Sequence, residues 1–197
     1  MLTFDAEHHV YTLDGKVLPS ITQIIRPLVN YDAVPKAVLE NAANFGRNVH
    51  KMVELECCGA LDEEALDDKL RPALAAFRGW RRQNSGDVIC EIPMAHARLK
   101  FAGTPDLIFD GHSIIEIKTR KTNLLTDPIQ TAAQEMLWLA NYGAKGDYQH
   151  GVLELYADGR HHFQPFTTKQ KREAANRFRY LLDYHVMSTN IKTWGPL

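Results

Sequence analysis

Apolar and polar positions alternate in three places along the chain, and each stretch reads as a β-hairpin. In "HHVYTLDGKVLPSITQII", residues 8–25, the turn falls at Asp14-Gly15. In "GTPDLIFDGHSIIEIKTRK", residues 103–121, two apolar runs flank Asp110-Gly111. The third is "YQHGVLELYADGRHHFQPF", residues 148–166. A strand-like segment from Val88 to Phe109 leads into the second hairpin, whose other arm is Ser113 to Thr119. Between these lie patches with helical spacing. Ser20, with Gln23 at capping-box distance, predicts a short helix. A longer one runs from Pro35 to about Cys57 through Val38, Leu39, Val49, Met52 and Val53, and Gly46 marks a break or a close approach within it. Asp62–Gln83 is a further helical stretch that Pro72 kinks or restarts. The next helix has Asp127 as N-cap, Pro128 in the first turn and Gly143 just past the end. Thr167 to about Met187 is the last. Strands interleaved with helices predict an α/β fold, with a central mixed sheet flanked by helices and an N-terminal hairpin with helical additions.

At 197 residues, without repeats or a linker, the chain reads as one domain. Its parts are 1–33, the hairpin and short helix; 34–86, a helical part; and 87–197, the sheet core. No apolar run approaches the roughly 18 residues of a membrane span, and no signal-peptide pattern opens the chain, so no membrane partner is expected. The cysteines are Cys57, Cys58 and Cys90. An odd number with two adjacent makes no disulfide framework and points to a reducing cytoplasm. Without CxxC spacing they also exclude a four-cysteine zinc or iron–sulfur site. The net charge of −1 does not mark a nucleic-acid binder, but its distribution is uneven. Seven acids and no Lys or Arg lie between Glu54 and Asp68, whereas six Lys/Arg and one Glu lie between Arg160 and Arg179. Such a split is a solvated surface or a polyanion path along one side.

The second hairpin carries charge where a core strand should not. Glu116 and Lys118 share one face, opposite Ile115 and Ile117. Asp106 joins them only if the loop is odd: Asp110-Gly111-His112 pairs Asp106 with Glu116, whereas a two-residue turn sends it to the other side. Together the two acids offer hard oxygen ligands of the kind Mg²⁺ or Mn²⁺ accepts, for one or two ions, with the Ile117 carbonyl as a further donor. Lys118 beside such an ion can hold a water and stabilise charge on a phosphate. The plain alternative is a solvated sheet face with a Glu–Lys pair.

Gly-Thr-Pro-Asp, then Glu-x-Lys with Glu116 ten positions after Asp106, resembles the signature of the PD-(D/E)XK nuclease superfamily. "FGRNVHKMVE" resembles the Gly…His helix motif of its RecB-like, phage-type exonuclease branch, which makes His50 a metal ligand. "CEIPM" resembles that branch's acidic strand and places Glu91 near the site. "IQTAAQ" falls where the branch has Gln-x-x-x-Tyr: Gln130 matches the Gln, and Gln134 stands in place of the Tyr. "HHVYTLDGKVLPSIT" resembles the N-terminal hairpin of phage-type and mitochondrial genome-maintenance exonucleases. Each flanking residue also has an ordinary reading, His50 as a surface histidine and Gln130 as the partner of a capping box with Asp127.

The resemblance implies a restriction-endonuclease-like core and a Mg²⁺- or Mn²⁺-dependent deoxyribonuclease. Asp106, Glu116, Lys118 and Gln130 would be catalytic, and His50, Asp106, Glu116 and Ile117 would hold metal. Glu91 and Gln134 would be auxiliary. An exonuclease of phage or prophage DNA processing or recombination is the first expectation, with a single-strand annealing or helicase partner. An endonuclease and a non-catalytic DNA-binding module are the alternatives. Lys100, Arg120 and Lys121 are candidates for backbone phosphates, as are Lys169 and Arg172 on the basic final helix. The pairs His8-His9 and His161-His162 point to opposite strand faces and read as surface residues or phosphate contacts. Trp80, Trp138 and Tyr142 read as core. The sequence sets no oligomeric state.

Overall fold

The computed structural model describes residues 1–143 and 146–193, without the side chains of 190–193. Three strands open the chain: β1 (Leu2–Asp5), β2 (Val10–Leu13) and β3 (Lys16–Leu18). They form an antiparallel sheet of their own, order β1-β2-β3. The Asp14-Gly15 turn is where the pattern put it, with both residues at positive φ. β1 was not anticipated, and His8-His9 lie in the β1–β2 turn, not on a strand. Next come α1 (Ile21–Ile25), with the Ser20/Gln23 capping box formed, and a 3-10 turn at Arg26–Leu28.

α2 (Lys36–Cys57) and α3 (Arg71–Gln83) follow. α2 runs unbroken through Gly46, whose Cβ position is open space, so that glycine marks neither a break nor a close approach. Residues 62–70 are not helical, with bends at 63–66 and a turn at 68–70, and Pro72 sits in the first turn of α3, where its missing N–H costs nothing. The acidic run is not simply solvated. Arg78 of α3 pairs with both Glu56 and Glu63, and Arg71 with Asp68.

The Val88–Phe109 segment divides into β4 (Val88–Cys90), β5 (Met94–His96), β6 (Phe101–Gly103) and β7 (Leu107–Phe109). After β8 (Ser113–Lys118) come α4 (Asp127–Tyr142), β9 (Gln149–Leu155), β10 (His161–Pro165) and α5 (Thr168–Thr193). The central sheet has the order β10-β9-β8-β7-β4, antiparallel except where β8 lies parallel to β9 across the α4 crossover. It is a mixed sheet flanked by helices, as the pattern predicted. α1, α4 and α5 cover one face, over Ile108 and Ile114; α2 and α3 cover the other, over Leu107, Ile115, Ile117, Leu153 and Leu155. The alternation along β7 and β8 therefore feeds two cores at once. α5 extends past the expected end at Met187, with Thr167 and Gln170 closing a capping box at its start. Trp80 and Trp138 are core, but Tyr142 is half exposed and stacks on Trp138.

Register at the second hairpin is set by the loop. Leu107 pairs with Ile115 and Phe109 with Ser113, leaving Asp110-Gly111-His112 as three loop residues. Asp110 and Gly111 both take left-handed φ. One step further, Asp106 stands opposite Glu116.

β9 and β10 pack closely at Gly151. A Cβ there would lie 2.4 Å from the Phe163 ring and 2.9 Å from the Gln164 carbonyl oxygen. We predict that Gly151→Ala lowers stability by about 1–3 kcal/mol, the usual range for overpacking. A urea midpoint equal to wild type would contradict this packing.

Candidate metal centre

Three elements deliver the centre. α2 brings His50, and Glu91 directly follows β4 with a left-handed φ of 51°. The Gly103–Pro105 segment brings Asp106 to the head of β7. His50 Nδ1 lies 3.3 Å from Glu91 Oε1 and 3.3 Å from Asp106 Oδ1. One ligand atom from each of the three falls within 4.8 Å of the others, the spacing of a site that can hold a metal ion. Asp106 is 6% exposed, and its Oδ2 accepts the Ile117 N–H at 2.7 Å. The Ile117 carbonyl in turn accepts from His50 Nε2 at 3.2 Å. Ile117 thus fixes both the carboxylate and the imidazole ring, leaving Nδ1 facing the two acids.

Glu116 lies outside that trio and is 1% exposed. Its Oε1 accepts from Lys118 Nζ at 2.5 Å and from Gln130 Nε2 at 2.6 Å, and its Oε2 accepts from Gln134 Nε2 at 2.6 Å. Gln130 and Gln134 are one turn apart on α4, so one helix face supplies both amides. Gln130 spends its amide here and not on Asp127, and Asp127 is not the N-cap. The helix starts at Asp127 with Thr126 before it. Asp127 instead accepts the Asn123 N–H at 2.7 Å and the Arg120 guanidinium bidentately at 2.9 and 2.8 Å.

Charges this close shift one another. Burial alone would lower the His50 imidazolium, but Asp106, Glu91 and Glu116 outweigh it and hold its pKa well above the ordinary histidine value. Burial would raise Asp106, but His50, Lys118 and the Ile117 N–H keep it below the usual carboxylate range. Glu116 goes the other way: burial and Asp106 push it up to about 7 against the pull of Lys118. Burial also raises Glu91. Lys118 is held high by Glu116 and Asp106 despite burial.

Two participants have no counterpart among the residues singled out in the sequence. Tyr11 of β2 is buried, and its hydroxyl shares a 2.8 Å hydrogen bond with Thr104. Burial, with Glu91 and Asp106 nearby, pushes its pKa up to about 12. Glu154 of β9 stands in register with Lys118 and is 4% exposed. It accepts the Thr122 N–H at 2.7 Å and the Thr122 hydroxyl at 2.5 Å, anchoring the loop between β8 and α4. A lone Glu in the apolar run "HGVLELY" is the same signal that drew notice to Glu116 in "SIIEI".

The basic candidates scatter. Lys100 is exposed in the β5–β6 turn, and Lys121 is exposed on the Glu154-anchored loop beside Arg120. Lys169 reaches Glu173 at 4.0 Å, and Arg172 is exposed. The groove of about 210 Å³ beside Leu124 and Leu125 is lined from α5 by Gln170, Glu173, Ala174 and Arg177, not by Lys169 or Arg172. Lys171 is taken up by Asp147 at 2.6 Å.

A pH signature follows. His50 and Glu116 both have raised pKa values in the folded state, so each contributes stability at low pH that is lost as pH rises through its folded value. Asp106, lowered, contributes stability above its unfolded value that is lost in acid. In EDTA, the melting temperature should therefore peak on the acid side of neutrality and fall as pH passes 7. With MgCl₂ or MnCl₂ the fall should shrink or reverse, because an ion bound at this group would take the place of the proton at His50. Parallel melting curves with and without cation from pH 5 to pH 9 would contradict this.

No protein-family model matches the chain, and no curated protein matches it in sequence. Among solved structures the chain is similar to an alkaline exonuclease from Laribacter hongkongensis, LHK-Exo. Identity is 10% and the TM-score 0.39, covering 88% of this chain and 92% of that one. It is also similar to LHK-Exo in complex with dAMP, at 13% identity and a TM-score of 0.36, covering 89% and 93%. A likeness of this degree identifies neither a family nor an activity.

Proposed function

We propose that the protein is a divalent-metal-dependent deoxyribonuclease, and specifically an exonuclease. The observation that carries this reading is the meeting, at one end of the sheet, of His50, Glu91 and Asp106 beside a buried Glu116–Lys118 pair. An imidazole with two carboxylates and no thiolate suits Mg²⁺ or Mn²⁺. Asp106, His50 and Glu91 hold the first ion, and Glu116 completes the site or helps hold a second. Ile117 positions Asp106 and His50 through its backbone. Bound, the ion polarises a phosphoryl oxygen and lowers the pKa of a bound water.

The remaining work falls to the chain. Lys118 orients the attacking water and donates to the phosphate as charge builds on it. Gln130 and Gln134 fix the Glu116 carboxylate, which fixes Lys118. Arg120, preorganised by its fork to Asp127, and the neighbouring Lys121 meet the backbone phosphates next to the scissile one. Lys100, Lys169 and Arg172 contact phosphates further along. Such contacts bind DNA without reading its sequence. The end-dependent reading rests on the motif resemblance, as does the setting: cytoplasmic phage or prophage DNA processing or recombination, with a single-strand annealing or helicase partner.

End-labelled linear DNA and covalently closed circles, each with Mg²⁺, Mn²⁺ or EDTA, test this. Linear DNA should be degraded with either cation, and circles should survive. Asp106→Ala and Glu116→Ala should each abolish cleavage, consistent with losing several kcal/mol of charge stabilisation. Cleavage in EDTA rejects the metal role, and linearised circles replace the exonuclease with an endonuclease.

Lys118→Ala separates chemistry from binding. An ammonium is no ligand for a cation, so the variant should keep its Mn²⁺ affinity and lose about two or more orders of magnitude in single-turnover rate. Lost affinity with an unchanged rate assigns Lys118 the wrong role.

A further inference from the structure

The second half of α4, the middle of α5 and the turn between β5 and β6 enclose a cavity of about 680 Å³. Cavities that take small molecules run from about 300 to 1,000 Å³. This one faces away from the metal centre. Met136 and Ala140, which line it, stand about 200° and 240° round α4 from Gln134, whose amide holds Glu116. Its floor is apolar: Leu182 is 5% exposed, and Leu99 and Met136 pack against the core beneath.

The rim is charged and unbalanced. Arg98 and Arg179 both line the cavity, against Asp183 as the one acid in the lining. Among the described residues neither guanidinium pairs with a carboxylate; Arg179 donates only to Asn176 Oδ1, at 3.3 Å. Arg71, Arg78, Arg120 and Arg160 each have an acid partner. Arg98 also sits on a pinned backbone. The Leu99 N–H donates to His96 Nδ1 at 3.2 Å, and the Lys100 N–H donates to the His96 carbonyl at 2.8 Å. The imidazole packs on buried Phe101, with ring centroids 5.6 Å apart. With Nδ1 accepting, the neutral ring carries its proton on Nε2, a third donor in the lining.

We infer that this cavity binds a small organic acid, an apolar body bearing a single carboxylate. The head lies between Arg98 and Arg179, whose planar forks match a carboxylate in shape and charge. The body rests on Leu99, Met136 and Leu182, and the unbranched thioether of Met136 adapts to its outline. Asp183 limits the charge. A dianionic phosphate in the same place meets its carboxylate, and a neutral ligand leaves both guanidiniums without a partner. The site needs neither a metal ion nor DNA, so it stands independently of the chemistry at Asp106 and Glu116.

Backbone amide NMR of the full chain in EDTA, titrated with phenylacetate, phenyl phosphate or phenylacetamide, tests this. Phenylacetate should give saturating shifts centred on 96–99, 136–140 and 179–183. Phenyl phosphate and phenylacetamide should bind more weakly. The double variant Arg98→Ala/Arg179→Ala, altered at two exposed side chains, should weaken phenylacetate by about tenfold or more. Asp183→Asn should strengthen phenyl phosphate more than phenylacetate. Shifts that never saturate, or that centre elsewhere, would overturn the site. Phenylacetamide binding as well as phenylacetate would overturn the anion, and tighter phenyl phosphate would overturn the single charge. The wild-type titrations decide all three even if a variant does not fold.

Discussion

Two carboxylates buried side by side govern this end of the molecule. A lone buried ion costs several kcal/mol even after relaxation, so two carboxylates can be buried here only because the fold surrounds Asp106 and Glu116 with donors and cations. Asp106 has the Ile117 N–H and His50; Glu116 has Lys118 and two glutamine amides. The balance is still unequal, because Glu91 joins as a third acid against two cations. The groups respond by sharing protons, with His50 held charged and Glu116 raised toward neutrality. A divalent cation bound here would supply the missing positive charge.

The architecture serves that balance. β8 is central, so its Glu116 is desolvated by strands on both sides and by α4 above. A three-residue loop, in place of two, keeps Asp106 opposite Glu116. α4 then places Gln130 and Gln134 one turn apart over the carboxylate. Two further buried acids, Asp127 and Glu154, hold the loop between β8 and α4, so Arg120 and Lys121 project from a fixed backbone. Each link lets a buried charge find partners without exposing it to water.

Much of this was readable from residue patterns. The Asp14-Gly15 turn, the Ser20/Gln23 capping box, the Asp110–His112 loop and the left-handed Gly143 all rest on local backbone chemistry, which a short window of sequence contains. Other features depended on distant partners. Asp127 carries N-cap chemistry, yet Arg120 and Asn123 draw its carboxylate away from the helix start. The Val88–Phe109 run was apolar enough for one strand, but the β5–β6 pair leaves the central sheet to pack on α1 and α4. In the site, the acids and lysine were visible from spacing, and a three-residue loop was the stated condition for Asp106 to face Glu116; the partners that hold each charge were not visible. Only the fold shows that Glu91 stands with His50 and Asp106, that Ile117 braces both, and that Glu116 is held apart by amides. Tyr11 leaves no mark in the sequence, because a buried tyrosine looks ordinary until its neighbours are known, whereas Glu154 carries the same mark as Glu116, a lone acid in an apolar strand.

The most direct measurement is the position of a bound cation. Crystals soaked in Mn²⁺ give an anomalous signal that locates the ion independently of the protein atoms. The expected result is a peak between His50 Nδ1, Glu91 and Asp106, with any second peak beside Glu116. Peaks confined to the exposed acids of residues 54–68, or none at all at saturating Mn²⁺, would contradict a metal centre at this end of the sheet.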